Sequence, residues 1–305
     1  MTILLAPDKF RGTFTARQVC ANIARGLGQV SPGVAVVSLP LADGGEGTLD
    51  TLGRVMGTRE VSIQARGPLG DPIEGAVYGM TPDGRTAIIE SARFCGLSLV
   101  AAHRRDPWRA SSGGLGTAIE DALDAGARHV LIGLGGTATI DGGVGMAEAL
   151  GYRFLRAGSP PSVVGIDSTG VHPAIGCSRF TCLCDVDNPL LGPDGAAAIF
   201  GPQKGASPGQ VVLLERRLAS LAAAIRRWKG EESSGLVGTG AGGGLGAGAA
   251  AFLGAVLRPG TRVVMDLTGF PEALARCDLV VTGEGSFDAQ SCKGKVTGAV
   301  LEAAA

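Results

Sequence analysis

Two acids set among glycines form the clearest candidate site in this sequence. Residues 40–48 read Pro-Leu-Ala-Asp-Gly-Gly-Glu-Gly-Thr, which places Asp43 and Glu46 among glycines directly after the apolar run 34–39. Glycine lets the backbone turn through positive φ and lets a ligand approach main-chain N–H groups, while carboxylates can hold Mg²⁺ or accept a proton. The segment therefore predicts a binding or catalytic loop. The structural alternative is a helix start, because acids also favour the positive end of a helix dipole.

A second glycine-rich loop, residues 135–143, follows the apolar run 130–134 and reads Gly-Gly-Thr-Ala-Thr-Ile-Asp-Gly-Gly. Residues 133–138 match the dinucleotide pattern Gly-x-Gly-x-x-Ala, but no acid follows about twenty residues onward to hold a ribose. The hydroxyls and main-chain donors lead into a predicted helix, an arrangement that favours a bound phosphate or carboxylate over a plain tight turn.

A third loop, residues 282–288, follows the apolar run 279–281 and reads Thr-Gly-Glu-Gly-Ser-Phe-Asp. It brings Glu284 and Asp288 close in sequence to hydroxyls and to Lys295, which are the groups that a phosphoryl-transfer site requires. The alternative is a solvated charged loop. The sequence contains no Gly-x-x-x-x-Gly-Lys-Ser/Thr, so an ordinary Walker nucleotide site is excluded.

Polar side chains also follow the apolar runs 3–6 and 180–183. They are Asp8, Lys9, Arg11, Asp185, Asn188 and, after a further loop, Lys204. The guanidinium fork of Arg11 could clamp a carboxylate or a phosphate. Spacing alone does not separate ligand contact from surface charge or loop structure for the others.

The elements that carry these loops have the pattern of an α/β fold. Short apolar runs that end in glycine or an acid alternate with helix-like stretches, as in a parallel sheet. The runs are 3–6, 34–39, 130–134, 180–183 and 279–281, and the predicted helices are 16–27, 116–125, 145–150, 211–228 and 271–276. Open parallel sheets bind ligands beyond the carboxyl ends of their strands, which is where the glycine-acid loops fall.

Two regions interrupt this alternation. Residues 61–98 contain turn pairs between short alternating runs, typical of antiparallel strands, and residues 187–269 mix Gly/Pro loops with one long helix. We interpret both as parts of a mixed α/β domain inserted into a discontinuous Rossmann-like domain with a parallel sheet. The predicted Rossmann-like domain comprises 1–60, 116–185 and 274–305, and the inserted domain comprises 61–115 and 186–273. The site is expected in the cleft between them.

The composition excludes several classes of function. The 305 residues are 45% apolar with a net charge of −1 and 4% aromatic residues, so neither a basic surface nor stacking platforms for nucleic acid are expected. No apolar stretch is long enough to span a membrane, and charged residues stand where a signal peptide would be apolar, which predicts a cytoplasmic protein. The seven cysteines form no Cys-x-x-Cys pair and the three histidines lie apart from the glycine-acid loops. Zinc and a His-based triad are therefore not indicated.

Six ordered motifs together identify a family. The chain resembles the bacterial glycerate kinases of the glycerate 2-kinase type over essentially its whole length. The motifs are Ala-Pro-Asp-Lys-Phe-Arg-Gly (6–12), Ala-Asp-Gly-Gly-Glu-Gly-Thr (42–48), Gly-Gly-Thr-Ala-Thr-Ile-Asp-Gly-Gly (135–143), Cys-Asp-Val-Asp-Asn-Pro-Leu (184–190), Phe-Gly-Pro-Gln-Lys-Gly-Ala (200–206) and Thr-Gly-Glu-Gly-Ser-Phe-Asp-Ala-Gln (282–290). The chain departs from the family pattern at Lys9, Arg11, Ile140 and Ser286.

The resemblance implies phosphorylation of D-glycerate by ATP with Mg²⁺, at the 2-hydroxyl to give 2-phosphoglycerate. It also implies a two-domain fold with a discontinuous Rossmann-like domain. Family members usually continue past the Gly-Lys motif, so a C-terminal part of the fold is expected to be missing from this chain, in which the helix beginning at 296 has no capping signal. A homo-oligomer is an open alternative to a monomer.

Residue roles follow from the resemblance and from the loops together. We expect Asp43 or Asp185 to accept the hydroxyl proton, with Lys295 as a third catalytic residue. The expected substrate contacts are Asp8, Arg11, Gly44, Gly45, Asn188 and Asp288. The expected nucleotide or phosphate contacts are Gly135, Gly136, Thr137, Asp141, Gly142, Lys204 and Gly283, and the expected metal ligands are Glu46 and Glu284. Two alternative functions are a Rossmann-type hydroxy-acid oxidoreductase and a non-catalytic metabolite-binding protein.

Overall fold

The computed structural model describes residues 1–230, 237–286 and 295–305, which form a mixed α/β fold. The predicted substrate contact Asp288 lies outside the described residues. The strands are β1 (Thr2–Leu5), β2 (Ala35–Ser38), β3 (Arg59–Ser62), β4 (Val77–Met80), β5 (Thr86–Glu90), β6 (His129–Gly133), β7 (Arg153–Ala157), β8 (Ser162–Asp167), β9 (Arg179–Leu183), β10 (Val256–Arg258) and β11 (Leu279–Val281).

Helices connect many of the strands. They are α1 (Ala16–Val30), α2 (Thr48–Val55), α3 (Ala92–Cys95), α4 (Gly113–Asp124), α5 (Val144–Ala149), α6 (Ala196–Phe200), α7 (Pro208–Lys229), α8 (Ala241–Gly248), α9 (Gly260–Thr268), α10 (Phe270–Leu274) and α11 (Val296–Ala304). Short 3₁₀ turns lie at Leu97–Leu99, Ala102–Arg104, Pro173–Cys177 and Pro202–Lys204, and a π-helical turn lies at Ala249–Leu253.

The strands form two main sheets and one hairpin. The three-stranded sheet has the order β11-β1-β2 and is parallel throughout. The six-stranded sheet has the order β10-β9-β6-β5-β4-β3, in which β10 to β5 are parallel and β4 and β3 are antiparallel. Strands β7 and β8 form a separate antiparallel pair. The prediction of parallel sheet with an antiparallel region at 61–98 is therefore confirmed in outline.

The five apolar runs predicted for one parallel sheet are all strands, but they divide between the two sheets. Strands β1, β2 and β11 form the small sheet, whereas β6 and β9 belong to the large one. Strand β5 pairs in parallel with β6 and antiparallel with β4, so it joins the predicted antiparallel region to the large sheet. The large sheet therefore runs across the predicted domain boundary at residue 115, and the division into two domains stays a prediction.

Local sequence explains where the first helix begins. The Thr15 side chain accepts a hydrogen bond from the Gln18 N–H at 3.2 Å, and the Gln18 side chain accepts one from the Thr15 N–H at 2.9 Å. This capping box satisfies two donors that a helix start would otherwise leave unpaired. Helix α1 then buries Cys20 against Ile3 and Leu5 of β1, which covers one face of the small sheet.

A hydrophobic core between the two sheets fixes their relative position. Leu4 of the small sheet and Leu131 and Leu183 of the large sheet are buried in one cluster with side chains from α2, α9 and α11. Each such side chain contributes about 1.5–3 kcal/mol when it is fully buried. The opposite face of the large sheet packs on α4, α5 and the helix α7. Among the described helices, none combines the length and apolar character needed to cross a membrane.

Candidate active site

Five loops meet where the parallel strands of both sheets end. They follow β1, β2, β6, β9 and β11, and direct contacts join them. The main chain of Gly44, after β2, lies against Leu183 at the end of β9, and Gly45 lies against Gly135 after β6. The Asp8 N–H, after β1, donates to the Gly283 carbonyl after β11 at 2.9 Å. The edge that the sequence predicted as the site is therefore one continuous surface built from both sheets.

Two adjoining cavities open on this surface and share part of their lining. The shared residues are Arg11, Asp43, Gly45, Gly135, Gly136 and Lys295. The first, which we call the Lys204 cavity, has a volume of about 260 Å³ and is also lined by Gly44, Thr137, Asp185 and Lys204. The second, the Glu284 cavity, has a volume of about 380 Å³ and is also lined by Asp8, Lys9, Glu46 and Glu284. Most of the predicted site residues are thus brought together.

A larger cavity of about 760 Å³ lies elsewhere, between residues 63–73 and the helices α4 and α5. Of the described residues that line it, only Arg66 and Glu148 are charged. Catalysis of polar reactions needs several converging titratable groups, which the Lys204 and Glu284 cavities provide and the larger cavity does not. We therefore place the candidate active site at the two smaller cavities.

The glycines of the Asp43 loop are required by close packing. Gly44 has φ of 84°, and a Cβ at this position would lie 2.8 Å from the Leu183 Cβ. A Cβ on Gly135 would lie 2.8 Å from the Gly45 Cα. Glycine accepts the positive φ at Gly44 and the close approach at both positions, so Gly44 and Gly135 allow these loops to pack against each other.

Replacement of Gly44 by alanine should displace this loop. We expect Gly44→Ala to lower the free energy of unfolding by about 3 kcal/mol, the sum of about 1 kcal/mol for positive φ and about 2 kcal/mol for overpacking. Urea denaturation measures this change. The control is Gly70→Ala, because Gly70 has φ of 89° but no atom within 4 Å of a built Cβ. Equal destabilisation of the two variants would show that contact with Leu183 is unimportant.

Asp43 stands at the centre of the site and is held on one oxygen. Its Oδ1 accepts a hydrogen bond from the Gly45 N–H at 2.9 Å and lies 3.2 Å from the Lys9 Nζ. Its side chain is 34% exposed, so the carboxylate is accessible from the cavities. The Lys9 Nζ also lies 3.4 Å from both carboxylate oxygens of Asp8.

Burial and nearby charges change the pKa values of Asp8 and Lys9. Burial raises the pKa of Asp8 to about 6, and the nearby charge of Asp43 adds to this effect while Lys9 opposes it. Burial alone would lower the pKa of Lys9, but Asp43 and Asp8 outweigh it and raise the pKa. Lys9 therefore stays protonated between the two acids at neutral pH.

Asp185 is anchored by the first turn of α9. The Thr261 hydroxyl donates to its Oδ2 at 2.5 Å, and the Thr261 N–H lies 3.1 Å from the same oxygen. Burial raises the pKa of Asp185 to about 6, with Asp43 also raising it, although the hydrogen bonds from Thr261 act in the opposite direction. A carboxylate held in place with a pKa near neutral pH has the properties of a general base.

Lys204 is a buried cation, with only 4% of its surface exposed. Its Nζ donates to the Thr137 hydroxyl at 3.0 Å and to the Thr139 carbonyl at 2.8 Å, so it is tied to the glycine-rich loop after β6. Burial lowers the pKa of Lys204 to about 8, although Cys95 and Asp141 raise it. The side chain remains charged at neutral pH and lines the Lys204 cavity.

The predicted metal ligands lie in the Glu284 cavity with one carboxylate oxygen free. Glu284 Oε1 is buried and has no hydrogen-bond partner among the described residues, and its Oε2 lies 3.9 Å from the Lys295 Nζ. Glu46 is exposed. Within the part of the chain that the structure describes, no three His, Cys, Asp or Glu side chains are close enough to hold a metal by themselves.

Four predicted site residues have other surroundings in the structure. Asp141 is 2% exposed and accepts hydrogen bonds from the main chain of Ser112, Gly143 and Gly145 and from the Ser112 hydroxyl. Gly142 lies against Leu221, the Gly283 carbonyl is bonded to the Asp8 N–H, and the Asn188 side chain donates to the Asp194 carbonyl. None of the four lines either cavity. Their contacts shape the loops that carry the cavity residues.

Sequence reasoning missed two residues that support the site. Thr261 anchors Asp185 from a position 76 residues away, and no local pattern links them. Glu90 is 2% exposed at the end of β5, and its carboxylate accepts the Leu49 N–H at 2.7 Å in the first turn of α2. An acid that ends an apolar run was the signal used elsewhere and would have found Glu90. Because the Glu90 carboxylate accepts the Leu49 N–H, Asp43 and Glu46 are not needed to cap α2.

The fold and the site define a class of protein. Acids with raised pKa, a buried lysine and glycine-rich loops converge at the carboxyl ends of parallel strands, which is the arrangement of α/β proteins that bind a small anionic ligand in a cleft.

Comparison with known proteins identifies the family within this class. The model of the glycerate kinase family matches residues 3–305. The chain is 42% identical to a glycerate kinase of Halalkalibacterium halodurans, over 99% of this chain and 82% of the relative. It is 40% identical to the glycerate 2-kinase of Escherichia coli K12, over 97% of this chain and 80% of the relative. The chain therefore belongs to the glycerate kinase family, which confirms the resemblance of the six motifs.

A solved structure agrees with this assignment. The fold is similar to a crystal structure from Salmonella typhimurium LT2 whose chain is provisionally named glycerate kinase 2, with a TM-score of 0.87 and 40% identity. The similarity covers 100% of this chain and 83% of the other. The relatives named here are thus longer than the present sequence.

Proposed function

We propose that this protein phosphorylates D-glycerate with ATP, at the 2-hydroxyl to give 2-phosphoglycerate. The observation that carries the proposal is the Lys204 cavity, in which Asp185 and the buried Lys204 line the same space next to a glycine-rich loop. Phosphoryl transfer to an alcohol needs a proton acceptor, cationic groups near the transferred phosphoryl and donors that position the phosphates. Membership of the glycerate kinase family supports the same function and does not favour an oxidoreductase or a non-catalytic binding protein.

Asp185 is the residue that we assign as general base. It would accept the hydroxyl proton while the substrate oxygen forms a bond to the γ-phosphorus and the bond to the ADP oxygen breaks. The raised pKa of about 6 makes Asp185 a better proton acceptor than an ordinary carboxylate and keeps it mostly ionised at neutral pH. Asp43, with one oxygen held by Lys9 and Gly45, would accept a hydrogen bond from glycerate.

Cations that line the two cavities would bind the anionic groups. Arg11 lines both cavities and would hold the glycerate carboxylate by its guanidinium fork. Lys204 and the main-chain N–H groups at Gly135 and Gly136 would contact the phosphates, and Lys295 would neutralise charge on the transferred group. Preorganised groups of this kind stabilise the transition state because they need no reorientation during the reaction.

Glu284 and Glu46 fit the role of Mg²⁺ ligands together with ATP. Mg²⁺ is commonly held by one or two carboxylates plus substrate phosphates and water, and the buried Glu284 Oε1 lacks a protein partner among the described residues. When bound, Mg²⁺ would neutralise charge on the phosphates.

We further propose a cytoplasmic location, and a cleft between a Rossmann-like and an inserted domain. Association into a homo-oligomer is compatible with this scheme.

The test of this proposal is product analysis. Purified protein is incubated with D-glycerate, ATP and Mg²⁺, ADP release is followed, and the phosphorus NMR spectrum distinguishes 2-phosphoglycerate from 3-phosphoglycerate. We expect ADP and 2-phosphoglycerate in equal amounts. Binding of both ligands without ADP release would overturn the proposed activity, and nicotinamide oxidation or reduction with hydroxy acids would favour the oxidoreductase.

The pH dependence should be bell-shaped. Asp185 must be ionised to act as base, so kcat/KM for glycerate should fall below about pH 6. Lys204 must be protonated to bind the phosphates, so kcat/KM should also fall above about pH 8. Initial rates between pH 5 and 9.5 measure both limbs. Lys204→Gln should remove the alkaline limb while leaving the acid limb in place. A flat profile over this range would exclude both assigned roles.

A further inference from the structure

Lys9 occupies an unusual position between two acids of the site. Its Nζ lies 3.2 Å from Asp43 Oδ1 and 3.4 Å from each carboxylate oxygen of Asp8. The exposed fractions of the side chains are 17% for Lys9 and 10% for Asp8. A partly desolvated ion pair of this kind is screened less by water than a surface pair, so its charge has a larger effect on its neighbours.

Removal of the ammonium would leave two carboxylates facing each other. Asp8 and Asp43 are close enough for the charge of Asp43 to disfavour ionisation of Asp8 even with Lys9 present. Without the cation, the two acids would share a proton or move apart, because like charges at short range in a partly buried site disfavour each other's ionisation. Either change would alter the charge or the position of the Asp43 carboxylate, which lines both cavities.

The contact also sets which oxygen of Asp43 is available. Lys9 and the Gly45 N–H both approach Oδ1. Among the described residues, no hydrogen bond is made to Oδ2 of Asp43. The ion pair therefore fixes the rotation of the carboxylate, with Oδ1 bound to protein and Oδ2 open to a ligand.

We propose that Lys9 is a positioning residue for glycerate phosphorylation, whose ammonium balances Asp8 and orients Asp43 so that Oδ2 meets the substrate. This inference rests on the proposed function. Lys9 also lines the Glu284 cavity, and its role is exerted through its ion pair with Asp43. The role differs from that of Lys204, which is bound to the glycine-rich loop after β6.

The proposal predicts a selective kinetic loss and a specific rescue. Lys9→Met should lower kcat/KM for glycerate about 100-fold, the loss that misplacement of a reacting group by about 1 Å brings, while KM for ATP stays within about twofold. Lys9→Arg, which keeps the charge, should lose less than about tenfold. Asp8→Asn added to Lys9→Met should recover at least about fivefold, because it removes the uncompensated carboxylate.

The experiment measures steady-state kinetics of these variants, with thermal unfolding as a check of folding. Lys229→Met is the matched control, because Lys229 is exposed at the end of α7 and lines neither cavity. If Lys9→Met does not fold, Lys9→Gln replaces it in the same comparisons, since glutamine keeps a polar end without the charge.

The possible outcomes separate the two proposals. An active wild type with an unimpaired Lys9→Met would overturn the role of Lys9 alone. A further loss on adding Asp8→Asn would also overturn it, because a merely structural lysine predicts additive damage. An inactive wild type would overturn the proposed function and, with it, the inference on Lys9. Rescue by Asp8→Asn together with the retained activity of Lys9→Arg would support the positioning role of Lys9.

Discussion

Asp185→Asn should lower kcat for glycerate phosphorylation by about 10³-fold, within the range of about 10²–10⁴ for loss of a general base. The amide cannot accept the hydroxyl proton, but it keeps the size of the side chain and can still accept a hydrogen bond from the Thr261 hydroxyl. We therefore expect KM for glycerate and ATP to change by less than about threefold. A coupled assay of ADP release measures both constants.

The control for this variant is Asp187→Asn. Asp187 is an exposed acid two positions further along the same loop, and it lines neither cavity. Its replacement should leave kcat within about twofold. If Asp185→Asn kept more than about a tenth of the activity, the assignment of the base would be wrong, and the same measurement on Asp43→Asn would then decide whether that acid accepts the proton.

Lys204→Gln should lower kcat/KM for ATP by about 10²-fold, the order of effect seen when one preorganised electrostatic group is removed from an active site. Glutamine can still donate to the Thr139 carbonyl, which Lys204 contacts at 2.8 Å, but it carries no charge. Lys204→Met removes both the charge and the donor, so it should lose similar activity and also unfold at lower denaturant concentration. Kinetics and urea denaturation of the two variants separate these contributions.

Lys229→Gln serves as the control, because it removes a charge from an exposed position at the end of α7. Full activity of Lys204→Gln with normal stability would show that the buried charge is not used on the phosphates. Equal loss of stability in Lys204→Gln and Lys204→Met would instead assign Lys204 to the structure of the loop that holds Thr137 and Thr139.

Much of the site could be predicted from sequence because the loops carry local signals. An acid directly after an apolar run marks the carboxyl end of a strand. This pattern found Asp185, and it found Asp43 and Glu284, where glycines flank the acid. The same pattern does not distinguish an acid that contacts a ligand from one that stabilises the protein through main-chain hydrogen bonds. Asp141 has the right setting in sequence, but its carboxylate accepts main-chain donors at the starts of two helices, α4 and α5.

The fold was predictable to the level of its elements and less so in their assembly. Apolar runs and helix signals placed five strands and five helices within a few residues, since burial and capping act over short stretches of chain. The division of the strands between two sheets was not predictable, because strand pairing depends on which edges meet in space. Strand β5 shows this, since its antiparallel neighbour β4 and its parallel neighbour β6 lie on opposite edges.

The sequence by itself determined the family, the chemical groups of the site and the loops that carry them, because these are properties of residue type and short-range order. Tertiary structure decided which groups act together. It placed Lys9 between Asp8 and Asp43, attached Thr261 to Asp185 and buried Lys204 below the glycine-rich loop. The physical reason is that pKa values, ion pairs and free carboxylate oxygens depend on distance and burial, which the spacing of residues along a chain does not specify.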